Sequence, residues 1–177
     1  MKRYVAFLRG INVSGQKLLK MEYLKEEFLS CGFKNVSTFI QSGNIIFDVI
    51  ESNAGTLAND IEDHLLRTLG YKVQVLLRTF QELTDMVKSK PFRKFETVEN
   101  IKLYVTFLTT EPDKKFILPM ISPKNDIEVF ASNKLDFYCI SRQQNGSFGF
   151  PNVFIEKEFR VPATTRNWNT IRKISNL

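Results

Sequence analysis

The sequence predicts an α+β chain of two ferredoxin-like units (βαββαβ, the alpha-beta plait) with antiparallel sheets. Three observations predict it. Short apolar runs of strand type stand at Tyr4–Leu8, Val36–Ile40, Ile45–Val49 and Tyr71–Leu77. Helix-spaced apolar residues lie between the first and second runs, and again between the third and fourth. After Ile101 the order strand, helix, strand, strand, helix recurs, so the second unit reads as a smaller, divergent copy without a clear last strand. A chain of 177 residues, 43% hydrophobic, can hold one large domain or two small ones with real cores. The expected division is 1–92 and 93–177, the second unit ending in a C-terminal helix.

Strand one, Tyr4–Leu8, runs into a loop from Arg9 to Lys17 that carries Gly10 and Gly15 and shows little periodicity. Met21, Leu24, Phe28 and Leu29 have helical spacing, and Gly32 stops that helix. Val36–Ile40, the polar knot Gln41-Ser42-Gly43-Asn44 and Ile45–Val49 make a hairpin. Leu57, Ile61, Leu65 and Leu69 mark one face of a second helix, closed by Gly70, and Tyr71–Leu77 is the fourth strand. Thr79 caps a further helix to about Ser89, Pro91 ends it, and the charged stretch Arg93–Asn100 reads as a linker. In the second unit Ile101–Leu108 is a strand and Glu111–Phe116 a short helix opened by Pro112. Ile127–Ala131 and Leu135–Ile140 form a hairpin, and Asn152–Phe159 is a helix. Thr164 or Thr165 caps the final helix, whose Trp168, Ile171 and Ile174 share a packed face.

In this split βαβ order, strands one and two run the same way, so their C-terminal ends meet at one edge of the sheet. The Arg9–Lys17 loop should therefore face the Gln41–Asn44 turn. Arg9, Gly10, Asn12, Gly15, Gln41, Ser42, Gly43 and Asn44 are the expected ligand-binding set. Arg9 and Arg166 would pair an anion, Gly10, Gly15 and Gly43 would let backbone approach, and Asn12, Gln41, Ser42 and Asn44 would orient the ligand. The plainer alternative is that these groups satisfy each other's loop backbones. Thr165, Arg166 and Asn167 are a second anion candidate, at a helix N-terminus. A capped helix with Trp168 in the core explains the same residues.

The net charge of +6 favours anionic partners, but the Lys and Arg are dispersed, as on an ordinary Lys-rich bacterial surface. Cys31 and Cys139 lie far apart and read as small buried hydrophobes in a reducing cytosol. There is no Cys/His cluster, P-loop or Gly-x-Gly-x-x-Gly, so no metal and no cofactor is expected. His64, the single histidine, sits on a helix between Ile61 and Leu65, and Ser42-Gly43 lacks the nucleophile-elbow frame. No catalytic residue is assigned. No segment has the length of a membrane span, and the apolar start is broken by Arg9 and Asn12, too early for a signal peptide. A cytoplasmic protein with no membrane partner is expected. Phe7 and Phe47 occupy the strands on which RNA-recognition plaits carry aromatics, yet the adjoining basic and glycine pattern is missing. Both faces of those strands are apolar, so the second face should be covered.

Three stretches taken together resemble a known family: Phe7-Leu8-Arg9-Gly10-Ile11-Asn12-Val13, Gln41-Ser42-Gly43-Asn44 and Thr164-Thr165-Arg166-Asn167-Trp168-Asn169-Thr170. The chain is similar to the bacterial domain of unknown function 1697 family. The resemblance extends to Gly32-Phe33 and to Arg78 with Glu82-Leu83, and so over almost the whole chain. It implies a pair of ferredoxin-like units and no particular activity. Ser14 stands where that family has the first of two glycines after Ile-Asn-Val. The expected function is a cytosolic domain binding a small anionic ligand, a nucleotide or a phosphorylated metabolite. The alternatives are an enzyme acting on such a ligand by electrostatic stabilisation, and a nucleic-acid-binding or protein-interaction module.

Overall fold

Strand β1 (Lys2–Leu8) alternates Tyr4, Ala6 and Leu8 on one face with Val5 and Phe7 on the other, and all five are buried. A strand apolar on both sides belongs inside a sheet covered on both faces. The computed structural model, which describes residues 1–12, 19–50 and 54–177, places it there. β1 lies between β3 (Asn44–Val49) and β4 (Val75–Thr79), antiparallel to both, and β2 (Lys34–Phe39) forms the edge beside β3. The order β2-β3-β1-β4 is that of the ferredoxin-like plait.

Helices α1 (Met21–Ser30) and α2 (Ala54–Leu69) cover the face that carries Tyr4, Ala6 and Leu8. Leu24 and Phe28 on α1, and Leu57, Ile61 and Leu65 on α2, recur every four residues and so line one side of each helix. They close on Ile45 and Phe47. The Phe47 ring is the hub, with Phe33 at 4.6 Å, Phe28 edge-on at 5.3 Å and Tyr4 stacked at 6.1 Å. Burying one such ring stabilises the fold by about 1.5–3 kcal/mol. Helix α3 (Phe80–Lys88) opens with a reciprocal cap: Glu82 N–H donates to Thr79 Oγ1 at 3.1 Å, and Thr79 N–H donates to Glu82 Oε2 at 2.7 Å.

The chain divides into two compact units, Met1–Thr84 and Asp85–Leu177. The boundary of these units falls inside α3. In the second unit β5 (Ile101–Leu108), β6 (Met120–Ile121), β7 (Ile127–Asn133), β8 (Asp136–Gln144) and β10 (Ala163–Asn167) form an antiparallel sheet of order β10-β5-β8-β7-β6. Strand β9 (Ser147–Phe148) pairs with β8. The path β10-β5-β8-β7 repeats the plait order of the first unit. Helix α4 (Pro151–Phe159) packs Ile155 and Phe159 onto Tyr104, Phe137 and Cys139. Helix α5 (Trp168–Ile174) ends the unit, with Trp168, Ile171 and Ile174 buried.

Three expectations are corrected. The last strand of the second unit exists: Thr164 and Thr165 lie in β10, paired with Phe107 and Thr106, and do not cap a helix. Asn167 takes the cap, its side chain accepting from Asn169 N–H at 2.9 Å. Glu111–Phe116 is not a helix. Pro112 and Pro119 leave room for less than two turns, and a proline bars the residue before it from helical backbone. Irregular chain instead carries Phe116 to Phe137 and Phe159, at 5.4 and 5.1 Å. The fourth strand begins at Val75, not Tyr71, because its partner β1 ends at Leu8, opposite Val75.

Candidate functional site

The register puts the exit of β1 and the β2–β3 turn at one end of the first sheet: Asn44 pairs with Phe7 on one side and Phe39 on the other. Backbone then ties the segments together. Leu8 N–H donates to Gly43 O at 2.8 Å, and Arg9 N–H donates to Gln74 O at 2.9 Å. The predicted convergence of the two loops is therefore present in the first unit.

Asn12 is the joint. It has a left-handed backbone, φ +53, which Asn tolerates better than most residues. Its Nδ2 donates to Leu19 O at 3.0 Å and to Gln41 O at 2.9 Å, and its Oδ1 accepts from Leu19 N–H at 2.7 Å. One side chain thus holds the loop after β1, the residue ahead of the α1 cap, and the hairpin turn. Asn44 performs the same task within the turn. It is fully buried, and its Nδ2 donates to Phe39 O at 3.0 Å and Ser42 Oγ at 2.9 Å.

The glycines divide by role. Gly43 is left-handed at φ +69, and a Cβ there would meet Ile11 Cδ1 at 2.6 Å. The backbone that comes close at Gly43 is thus approached by the chain's own Ile11. Gly10, at φ +72, is exposed, and a Cβ there would meet nothing within 4 Å. Ile40 opens the turn at φ +51 while half-exposed. A left-handed β-branched residue costs about 1–2 kcal/mol, so the turn is held against a strain.

The structure brings together Arg9, Gly10, Asn12, Gln41, Ser42, Gly43 and Asn44. Gly15 lies outside the described residues, as does Ser14. Much of the amide capacity of Asn12 and Asn44 is spent on neighbouring backbone. Arg9 and Gly10 stay on the rim, with Gln41, whose exposed side chain has no partner among the described residues. Ile11, Leu19 and Gln74 were missing from the expected set. Leu19 and Gln74 contribute backbone groups, which side-chain identity does not signal. An apolar Ile11 inside a polar glycine loop was the one available sign of loop packing.

Thr165, Arg166 and Asn167 lie in the second unit, on β10. Thr165 sits in a buried polar line: its hydroxyl lies 2.8 Å from Thr106 Oγ1 and donates to Asn152 Oδ1 at 3.1 Å. Arg166 is 8% exposed and curls back on its own strand, Nη1 donating to Thr164 Oγ1 at 2.7 Å and Thr165 O at 2.9 Å. Burial pulls its guanidinium down to about 10, which leaves it charged at neutral pH.

His64 joins α1 and α2. Its Nε2 lies 2.7 Å from Glu27 Oε2 and 3.2 Å from Ser30 Oγ. A serine-histidine-carboxylate triad needs both ring nitrogens, one toward each partner. Here one nitrogen meets both, so the cluster is a clasp between helices. Among the described residues no group of three or more His, Cys, Asp or Glu could hold a metal ion, and no helix is long and apolar enough to cross a membrane. Phe7 and Phe47 are fully buried, so neither offers a ring for a base to stack on.

No curated protein matches the chain. Among solved structures, a conserved bacterial protein, SP0830 from Streptococcus pneumoniae, is similar in fold, with a TM-score of 0.73 over 99% of this chain and 97% of that one, at 19% identity. The model of a family described as a protein of unknown function (DUF1697) matches residues 1–138, which include the stapled loops at Asn12 and Gln41, and the chain belongs to that family.

Proposed function

We propose that the chain is a cytosolic domain that binds a small anionic ligand, a nucleotide or phosphorylated metabolite, at the β1 exit and the β2–β3 turn. The observation that carries the reading is the Asn12 staple. It holds three chain segments in one arrangement before any ligand arrives, which lowers the ordering cost of binding. The residues around it suit an anion. Arg9 supplies a planar donor fork. Gly10 leaves its side of the backbone open. Gln41 offers an amide, and α1 starts at Met21 without a capping bond from the Lys20 side chain, so its first N–H groups and dipole favour negative charge. Binding is favoured over turnover because Arg9, Gly10, Asn12, Gln41, Ser42, Gly43 and Asn44 include no carboxylate, imidazole or thiol to move a proton or attack a substrate.

The test is a thermal-shift scan of the whole chain against nucleoside phosphates and sugar phosphates at two salt concentrations. A ligand present at 100 times its Kd stabilises the native state by about 2.7 kcal/mol. The expected hit survives added salt and its shift falls in Arg9→Ala and Gln41→Ala, each read against its own unliganded baseline. Unchanged affinity in both variants overturns the proposal.

A further inference from the structure

In the second unit Trp168 rests on Phe92, ring centroids 4.9 Å apart. Phe92 meets Phe130 and Tyr138 edge-on at 5.4 and 5.8 Å. Phe92 and Trp168 of this cluster line a divided cleft. One compartment, of about 280 Å³, is lined by Lys90, Arg93, Arg172 and Glu96 around Phe92 and Trp168. The other, of about 230 Å³, shares Trp168 and Glu96 with it. Phe95, Val98, Ile101 and Leu103 line this second compartment, beside the amides of Asn167 and Asn169.

The cations of the first compartment stand apart from their neighbours. Lys94 lies 4.8 Å from both the Phe95 and Phe130 rings, and Lys102 lies 4.3 Å over Phe148. Lys90, Arg93 and Arg172 are exposed, and none of their side chains makes an ion pair or hydrogen bond among the described residues. Lys90 is moreover left-handed at φ +49, a conformation that costs a residue with a Cβ. The turn this makes brings Arg93 N–H onto Lys90 O at 3.1 Å, so both cations rise from one turn. With Glu96 in the same lining the hollow holds three cations and one carboxylate, a surplus of positive charge that an anion placed among them relieves.

We propose that this cleft binds a small organic phosphate of the nucleotide class. The order of its parts matches the order of the ligand's parts. Lys90, Arg93 and Arg172 take the phosphate, the two arginines by planar forks. Glu96, on the shared wall, accepts hydrogen bonds from sugar hydroxyls. The base lies in the second compartment against Phe95, Val98, Ile101 and Leu103, where Lys102 also borders it and the Asn169 amide reaches its edge. This site shares no residue with the one at Asn12, and the variants that test the two differ.

Trp168 is the chain's one tryptophan, so its emission reports on the cleft. The whole chain is titrated with ADP, with inorganic pyrophosphate and with adenosine. ADP changes the emission saturably, and pyrophosphate and adenosine each bind at least tenfold more weakly. Arg93→Gln and Arg172→Gln each weaken ADP by about tenfold, the scale of one charged hydrogen bond. Both variants melt as the parent does, because neither side chain makes a hydrogen bond or ion pair among the described residues. Lys157→Gln, on α4 at the opposite face of the sheet, leaves the titration unchanged. The proposal is overturned by the absence of a saturable response to ADP, by pyrophosphate or adenosine binding as well as ADP, by parental affinity in the two arginine variants, or by an equal loss in Lys157→Gln.

Discussion

Replacing Gly43 by Ala tests whether the two loops of the first unit are built to fit each other. Two costs add. The residue is left-handed at φ +69, which costs an L-residue about 1–2 kcal/mol. The new Cβ would also lie 2.6 Å from Ile11 Cδ1, 2.8 Å from Ile11 Cγ1 and 3.0 Å from Leu8 Cβ. Ile11 is 2% exposed, so it cannot swing into solvent. Forcing a methyl group into such packing costs about 1–3 kcal/mol. The sum is about 2–5 kcal/mol, a large share of the stability of an ordinary domain. Gly10 is the control. It has nearly the same backbone, φ +72, and empty space where a Cβ would go, so Gly10→Ala should cost only the conformational part. The assay is urea unfolding followed by circular dichroism, with the midpoint read at unchanged slope. A second arm sets Gly43→Ala in an Ile11→Ala background, where the nearest atoms are gone. There the extra cost should fall by a coupling of about 1–3 kcal/mol, leaving the conformational part and the 3.0 Å approach to Leu8 Cβ. If Gly43→Ala is no worse than Gly10→Ala, or if Ile11→Ala leaves its cost unchanged, the packing account is wrong.

Thr165→Val strips the hydroxyl that links Thr106 to Asn152 in the buried second-unit line, and should cost about 1–3 kcal/mol in chemical unfolding, whereas Thr165→Ser should retain most of that. The Asp48 carboxyl is held below its usual range by the hydrogen bond from Arg3 and another from Asn35, against burial that pushes it up. A carboxylate with a depressed folded-state value stabilises above its unfolded value of about 3.9 and loses that stabilisation as pH falls through the folded value. Melting temperature should therefore fall more steeply in acid for the parent than for Asp48→Asn, and equal slopes would contradict the assignment. The two cysteines should separate in a thiol-reagent titration. Cys139, its thiol pushed up to about 12 by burial, should react only on unfolding, and partly exposed Cys31, raised by burial and by Glu27, should react slowly in the native protein.

The first unit was legible because its signals are periodic and local. Leu57, Ile61 and Leu65 could only be one face of a helix, and the Gln41–Asn44 knot could only turn a hairpin. From the strand order alone it followed that the Arg9 loop and the Gln41 turn share an end. What lay beyond the sequence is how the polar groups are shared out. Nothing in the residue types says that Asn12 serves Leu19 and Gln41 rather than a ligand, or that Ile11 fills the space beside Gly43. Those outcomes depend on distances of a few tenths of an ångström set by the register of β1 against β3.

The second unit shows where local reasoning points the wrong way. Thr164, Thr165 and Asn167 are all acceptable helix caps, and a helix does follow. The decision between them is made by pairing: β5 is buried from Tyr104 to Leu108 and needs a partner there on the side away from β8. Ala163–Asn167 supplies it, and two β-branched threonines are well suited to the task. The helix then begins one turn later than the first possible cap, at the first residue after the ladder ends. That shift moves Arg166 from a helix N-terminus to the interior of a strand, where its charge meets Thr164 and its own backbone. It also sets Trp168 at the start of α5, beside Phe92, where the sequence alone predicts only a packed helix face. Lys90, Arg93 and Arg172 come from two segments about eighty residues apart in sequence, and no periodicity or spacing could have grouped them. Their convergence at Trp168 follows from the strand that the threonines make.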